Sequence, residues 1–394
     1  MEFLEYLGEG SHAHVVKVKI KGKDYALKLF RFAYDWDWTG PGEYPINEDR
    51  AHFALMAQYA EPFNCECRAF GRLQESGHTN LALECYGYIL LDEAHELALQ
   101  DKFHLEFNGS MDVPGREDQR GNCPGARTGK PPPIRGILKE LGNPDDINDD
   151  DPPNLSVPAA RRILQDTIKF QQLGIINLDV RRNQMFNNRF CDLSTAVTVP
   201  HFITTPELNP QLLPHEKQML ERETFLTSRM DYLAFEQLLY VALEDRQQTS
   251  KVFQKVPAFP TATRRDRRYT ERYNLRKNSR RRLQNAEGVY TYVDPRRYDW
   301  KARINTRGTG RRRLSRYHIK KLPERWYYEC TPEEAESIKY EYMPILALEY
   351  KVKDGLIFPE DEGVGLWLLR QKQMEEKATA GSDDGSDCAN EEHA

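Results

Sequence analysis

No stretch of about 18 consecutive apolar residues occurs in the chain, so the sequence holds no candidate membrane-spanning helix. The opening MEFLEYLGEG lacks a basic n-region and an apolar h-region, and no secretory leader is expected. Cysteine is sparse and unpatterned: seven residues, an odd number spread over 394, do not make a disulfide framework. The sequons at Asn108 and Asn154 therefore carry no weight, and a reducing compartment is the expectation. Zinc spacing is absent too. Cys65 and Cys67 have one residue between them, on a predicted helix where they point to different faces, and no second pair accompanies them. No G-x-S-x-G nucleophile turn occurs. What the chain does have is 39% hydrophobic and 11% aromatic residues, enough to bury at least one sizeable core, over a length near two to three domain-sized units.

The net charge of -5 conceals three blocks. Residues 1–250 hold 26 basic against 38 acidic side chains, residues 251–325 hold 24 against 6, and residues 326–394 hold 6 against 17. Only the middle block has electrostatics that could by themselves attract a polyanion. The charge pattern describes an acidic enzyme-sized body, a basic arm and an acidic tail.

HVVKVKI and YALKLFRF alternate apolar and polar residues on either side of a turn and predict a hairpin. From Asn47 to Gly77 the period becomes helical, in two pieces broken at Pro62. LALECYGYILL and IRGILKELG are further strand candidates, separated by a Gly- and Pro-rich stretch expected to be a surface insertion at about residues 92–131. A five-stranded layer with one helix is the expected result. NPDDINDDDPPN is an acidic linker that marks a boundary. Beyond it a helix runs from a Ser156 cap to a Gly174 stop, followed by an irregular stretch with two strand-like pieces and an apolar helix, RMDYLAFEQLLYVALE.

Several residues on this framework invite a chemical reading, and each has a bland alternative. Gly8 and Gly10 on a turn often only supply positive φ. Lys28 shares a strand face with Ala26; on an inner face it needs an anionic partner, on an edge it needs only water. Glu66 falls on a helix face with Ala69, Phe70 and Leu73 and is either that partner or a solvated glutamate. Asp179 and Asp192 each follow a short apolar run, which suits a base and a metal ligand but also a turn former. His12 and His14 read as solvent-facing or packing residues.

The order of these residues resembles the protein-kinase-like superfamily over roughly residues 1–245. The resemblance implies a glycine-rich loop at Gly8 and Gly10 over ATP phosphates and a phosphate-holding Lys28 paired with Glu66. It also implies Asp179 as the catalytic base, Arg181 facing the transferring phosphate, Asp192 as the Mg²⁺ ligand, and Glu140 and Leu141 in an adenine-binding hinge. Asp231 resembles the helix aspartate that braces the catalytic loop. Departures accompany the matches. Asn177 and Leu178 replace the usual His and Arg, so control by loop phosphorylation is not expected. Gln184 stands where a metal-binding asparagine belongs, with Asn183 one residue earlier. DLS replaces DFG, and TVPHFI closes the segment with no APE. More narrowly, YALKLFRF, PFNCECRAFGRL, GIINLDVRR, DLSTAVTVPHF and YVDPRRYDW resemble fungal kinase-like proteins grouped with an inner-kinetochore subunit family.

These resemblances imply an α+β, two-lobed kinase-like fold. Its parts are an N-lobe at 1–141, a C-lobe at 142–250, a basic and partly disordered arm at 251–325, and a mixed segment with an acidic disordered tail at 326–394. The implied activity is transfer of the ATP γ-phosphoryl group, with Mg²⁺, to a Ser/Thr hydroxyl of a protein. The alternative is a weak or inactive kinase-like adaptor in a kinetochore or chromatin assembly. A nuclear location is expected, with the cytoplasm as the other option. Arginines interleaved with tyrosines in residues 260–321 suit nucleic acid, but equally suit a solvated linker, an import signal or a docking target for the acidic tail.

Overall fold

A computed structural model describes residues 1–32, 38, 50–107, 120, 132–142, 157–186, 188–244, 293–301 and 348–360. Five antiparallel strands form its first layer: β1 (Glu2–Glu9), β2 (Ala13–Ile20), β3 (Lys23–Phe30), β4 (Cys85–Leu91) and β5 (Ile134–Lys139), in the order β1-β2-β3-β5-β4. The predicted hairpin closes at Lys21 and Gly22, both at positive φ, which is the turn that matches strand twist. Alternation then sorts the side chains. Val16, Val18, Leu27 and Leu29 fill one face, while Ala13, Val15, Ala26, Lys28 and Phe30 occupy the other.

Helices cover both faces. The two predicted pieces appear as α1 (Arg50–Ala60) and α2 (Pro62–Ser76). Pro62 opens α2, Glu61 accepts the Asn64 N–H at 3.2 Å, and Gly77 closes it in the left-handed region, so both ends are capped. A further helix, α3 (Glu93–Phe103), lies inside the stretch expected as an insertion. Asp92 caps it at His95, and Leu99, Leu105 and Phe107 pack on the sheet face opposite α2. Its weak amphipathic pattern left only Leu99 fully buried, which is why periodicity did not reveal it.

The second half is helical around α4 (Val157–Gln172) and α5 (Pro214–Glu244). Between them lie two short pairs, β6 (Ile175–Ile176) with β9 (Val197–Thr198) and β7 (Met185–Phe186) with β8 (Arg189–Phe190). Ile163, Leu164, Phe170, Leu173, Leu193, Tyr232 and Phe235 form its core, joined by Phe70 and Leu73 from α2. The helix predicted from Arg229 onward begins a further 15 residues earlier, at Pro214, where a polar sequence hides it.

Two later segments pack on this body. Val293–Lys301, within the expected basic arm, docks through Val293, Pro295 and Tyr298, with the Tyr298 ring 3.9 Å from the Arg72 guanidinium of α2. A hairpin of β10 (Glu349–Lys353) and β11 (Leu356–Glu360) shares a core with Met56 and Ala57 of α1 and with Phe202, Leu212 and Leu220. The architecture is α+β with an N-terminal antiparallel sheet. Among the described residues no helix is long and apolar enough to cross a membrane. The Ser156 cap, the linker at 143–156, residues 108–119 and 121–131 of the expected insertion, most of the arm and the acidic tail lie outside the described residues.

Candidate functional site

A cleft of 640 Å³ opens between the sheet and the loops that follow α4, within the size range of small-molecule sites. Val15 and Ala26 line it from the sheet and Leu83 and Phe186 supply further apolar surface. Its deepest charged group is a quartet. Lys28 Nζ lies 2.8 Å from Glu66 Oε2 and 2.7 Å from Asp192 Oδ1. Glu66, fully buried, also accepts from Lys139, whose Nζ donates to the Cys191 carbonyl at 2.8 Å. The strand lysine thus has its carboxylate, and α2 carries that carboxylate on the face with Ala69, Phe70 and Leu73, all buried.

The ionisation of the quartet follows from its geometry. Burial works against a charged Lys28, but Asp192 and Glu66 prevail and raise its pKa above the usual lysine range. Burial likewise works against an ionised Asp192, and the nearby Lys28 and Lys139 hold its carboxyl well below the usual carboxylate range. Both are charged at neutral pH. Sequence reasoning missed Lys139. The available signal was the period of two, which puts Lys139 on the face of β5 that bears Ile137. That this face meets Ala26 across the ladder follows only from the strand order.

The remaining singled-out residues mostly converge here. Gly8, Gly10, Glu140, Leu141, Asp179, Arg181, Asn183, Gln184 and Asp192 all line the cleft. Gly8 has a φ of 139°, a conformation other residues rarely adopt. Some of these side chains already have partners within the protein. Both Asp179 oxygens accept from the Arg181 guanidinium, one at 2.8 Å, and the Gln184 amide donates to Oδ2 at 3.0 Å. Arg181 therefore faces the carboxylate beside it. Glu140 is held by a second fork, from Arg189 at 2.9 and 2.8 Å, which depresses its pKa. Both histidines near the glycine turn are packing residues: His12 sits 3.4 Å from Ser194 Oγ, and His14 contacts the Glu106 carbonyl at 2.8 Å.

Asp231 of α5 supports the loop that carries Asp179. Its oxygens accept the backbone N–H groups of Leu178 at 2.7 Å and Asn177 at 3.1 Å, and the Gln171 amide at 3.1 Å. Leu178 has a φ of 65°, an uncommon conformation that these bonds help to hold. Burial pushes the Asp231 carboxyl up to about 6, above the ordinary 3.8, against the lowering effect of its donors. A folded-state pKa above the unfolded one means that the folded state retains the proton longer. The stability from this group is full below about pH 4 and is lost as the pH rises through 6. Two units correspond to about 3 kcal/mol. Denaturant titrations should show wild-type stability falling from pH 4 to 6 relative to Asp231→Asn; a difference flat in pH would contradict this.

The thiols described near the cleft and in α2 are held in the neutral form. Burial pushes Cys65, Cys67 and Cys191 up to about 12, which keeps them as neutral thiols. Among the described residues no three His, Cys, Asp or Glu side chains converge as a metal cage would. Asn183 and Gln184 border the cleft, yet the Gln184 amide is committed to Asp179.

Residues 1–197 match the family described as Kinetochore Sim4 complex subunit FTA2. No curated protein matches the chain. The match spans half of the 394 residues, and the chain belongs to this kinetochore subunit family.

Proposed function

We propose that this subunit is a kinase-shaped adaptor, which contributes a folded body to a kinetochore assembly in the nucleus and transfers phosphate weakly or not at all. Support for the kinase-shaped part comes from position. The strand order β1-β2-β3-β5-β4, the β3 lysine joined to the α2 glutamate, and the α5 aspartate beneath Asn177 and Leu178 follow the arrangement the sequence resembles. The observation that carries the adaptor reading is the state of Asp179. A general base must accept a proton from an incoming hydroxyl, and this carboxylate already accepts from the Arg181 fork and from Gln184.

A second reading, phosphoryl transfer to a Ser/Thr hydroxyl of a protein, is favoured by the joined Lys28, Glu66 and Asp192. The two are separated by phosphate incorporation from labelled ATP, with the purified chain and its co-purified partners as acceptors. The adaptor reading expects incorporation at the level of a blank or barely above it, and no less with Asp179→Asn. Incorporation that disappears in Asp179→Asn would establish the enzyme instead. Contact between the basic residues at 260–321 and nucleic acid belongs to the same proposal, as a route to chromatin; of these residues the structure describes only 293–301. Binding through them should weaken at least tenfold between 50 and 200 mM salt, by order of magnitude.

A further inference from the structure

We infer that Lys139 is a built-in cation that lets the cleft take an anionic nucleotide without a divalent metal ion. This rests on the kinase-shaped reading of the cleft and departs from the Mg²⁺ site that the resemblance implies.

The inference starts from charge balance. With Lys28 alone, Glu66 and Asp192 would leave a buried group with one uncompensated negative charge, which a divalent ion would relieve. Lys139 removes that deficit. The four side chains comprise two ammonium and two carboxylate groups, with Lys28 and Lys139 only 7% and 5% exposed and Glu66 fully enclosed. Lys28 bridges Glu66 and Asp192, and Lys139 bridges Glu66 and the Cys191 carbonyl. Each ammonium carries three N–H groups and uses two of them in these bonds, so each retains one for a phosphate oxygen.

The metal side of the cleft points the same way. A hard divalent ion such as Mg²⁺ takes oxygen ligands, one or two of them carboxylates, with substrate phosphates and waters completing the shell. Asp192 Oδ1 is engaged by Lys28 at 2.7 Å and by the Ser194 N–H at 2.9 Å. Asp179 is occupied by Arg181 and Gln184, and Gln184 presents its nitrogen to that carboxylate, because a carboxylate can only accept. A metal at Asp192 Oδ1 or at Asp179 would have to displace these cations and donors, so the two aspartates offer the ion a single open carboxylate oxygen, Asp192 Oδ2. With both lysines in place, that is a poor site for a hard divalent ion.

The test is thermal unfolding of the full chain with ATP, in EDTA and again in excess Mg²⁺. The expected result is stabilisation in EDTA, by about 5 °C at a hundredfold excess over Kd, and no more with Mg²⁺. Lys139→Met should lose the stabilisation in EDTA and recover it only with Mg²⁺, whereas Lys139→Arg, which keeps the charge, should behave as wild type. If Lys139→Met does not fold, the wild-type pair and Lys139→Arg still decide. Stabilisation of the wild type only with Mg²⁺ overturns the inference and leaves the kinase-shaped reading intact. No stabilisation under either condition overturns the inference by removing the nucleotide from the cleft, while the adaptor role is judged separately by partner association.

Discussion

Glu66→Ala is expected to destabilise the protein by about 3–5 kcal/mol, because it strands two buried ammonium groups at once. Lys28 would keep only Asp192, and Lys139 only the Cys191 carbonyl. For a domain of this size the loss corresponds to a fall in Tm of roughly 10 °C. Urea unfolding and a thermal scan read the effect directly. The fourfold change Glu66→Leu, Lys28→Met, Lys139→Met, Asp192→Asn, which strands no charge and keeps an acceptor for the Ser194 N–H, should recover most of the stability, since uncharged side chains of similar volume commonly replace a buried ionic cluster without loss. A Glu66→Ala protein within about 0.5 kcal/mol of wild type, the range of ordinary surface changes, would mean that the quartet is open to water and the account of its charges is wrong.

The second large effect concerns the way α2 is held against the helical half. Arg72 is buried and donates to the Leu173 carbonyl at 2.7 Å and to the Val199 carbonyl, while the Tyr298 ring stacks on its guanidinium at 3.9 Å. Arg68, one turn earlier, donates to the carbonyls of Thr198, at 2.8 Å, and Pro200. These contacts tie the helix that carries Glu66 to the segment around β6 and β9. Arg72→Ala leaves buried carbonyls without their charged donor and removes the ring contact, at a cost of about 3 kcal/mol. Arg72→Lys should rescue less than half of that, because an ammonium cannot fork onto two carbonyls and stack flat on a ring. Hydrogen exchange along α2 should quicken in both variants and in Tyr298→Ala. If Arg72→Lys unfolds at the wild-type denaturant midpoint with unchanged α2 protection, the forked geometry is not what holds the helix.

The β2–β3 hairpin was legible because its sequence alternates apolar and polar residues on either side of a turn. Val16, Val18, Leu27 and Leu29 declare one face, and Lys28 stands out on the other. Helix α2 was legible from its breaks, Pro62 and Gly77, and from a stripe of Ala69, Phe70 and Leu73 that brought Glu66 with it. Lys28, Glu66 and Asp192 could be nominated in advance only as a series, from their order along the chain and its resemblance to the kinase-like arrangement, because each alone reads as readily as a solvated or turn residue. Lys139 could not, because its significance depends on β5 lying beside β3, a neighbourhood set by the packing of the whole sheet. The same limit applies to Arg181. Its spacing from Asp179 is visible in the sequence, but the direction in which its guanidinium turns is a side-chain choice made by the folded loop. Tyr298 was hidden for a different reason: a strongly basic composition masks a nine-residue docking segment whose apolar anchors are Val293, Pro295, Tyr298 and the half-buried Trp300.

The central claim is that the kinetochore role depends on the folded body and its partners, while turnover at Asp179 is dispensable. The most direct measurement replaces the chromosomal copy with Asp179→Asn and follows recruitment of the subunit and its co-purifying partners to kinetochores. Asp179 gives up only the Arg181 and Gln184 contacts in this change, so the body should fold as before. Recruitment and partner association equal to wild type are predicted. Normal abundance of the variant together with lost kinetochore function would contradict the claim and return the site to the enzymes.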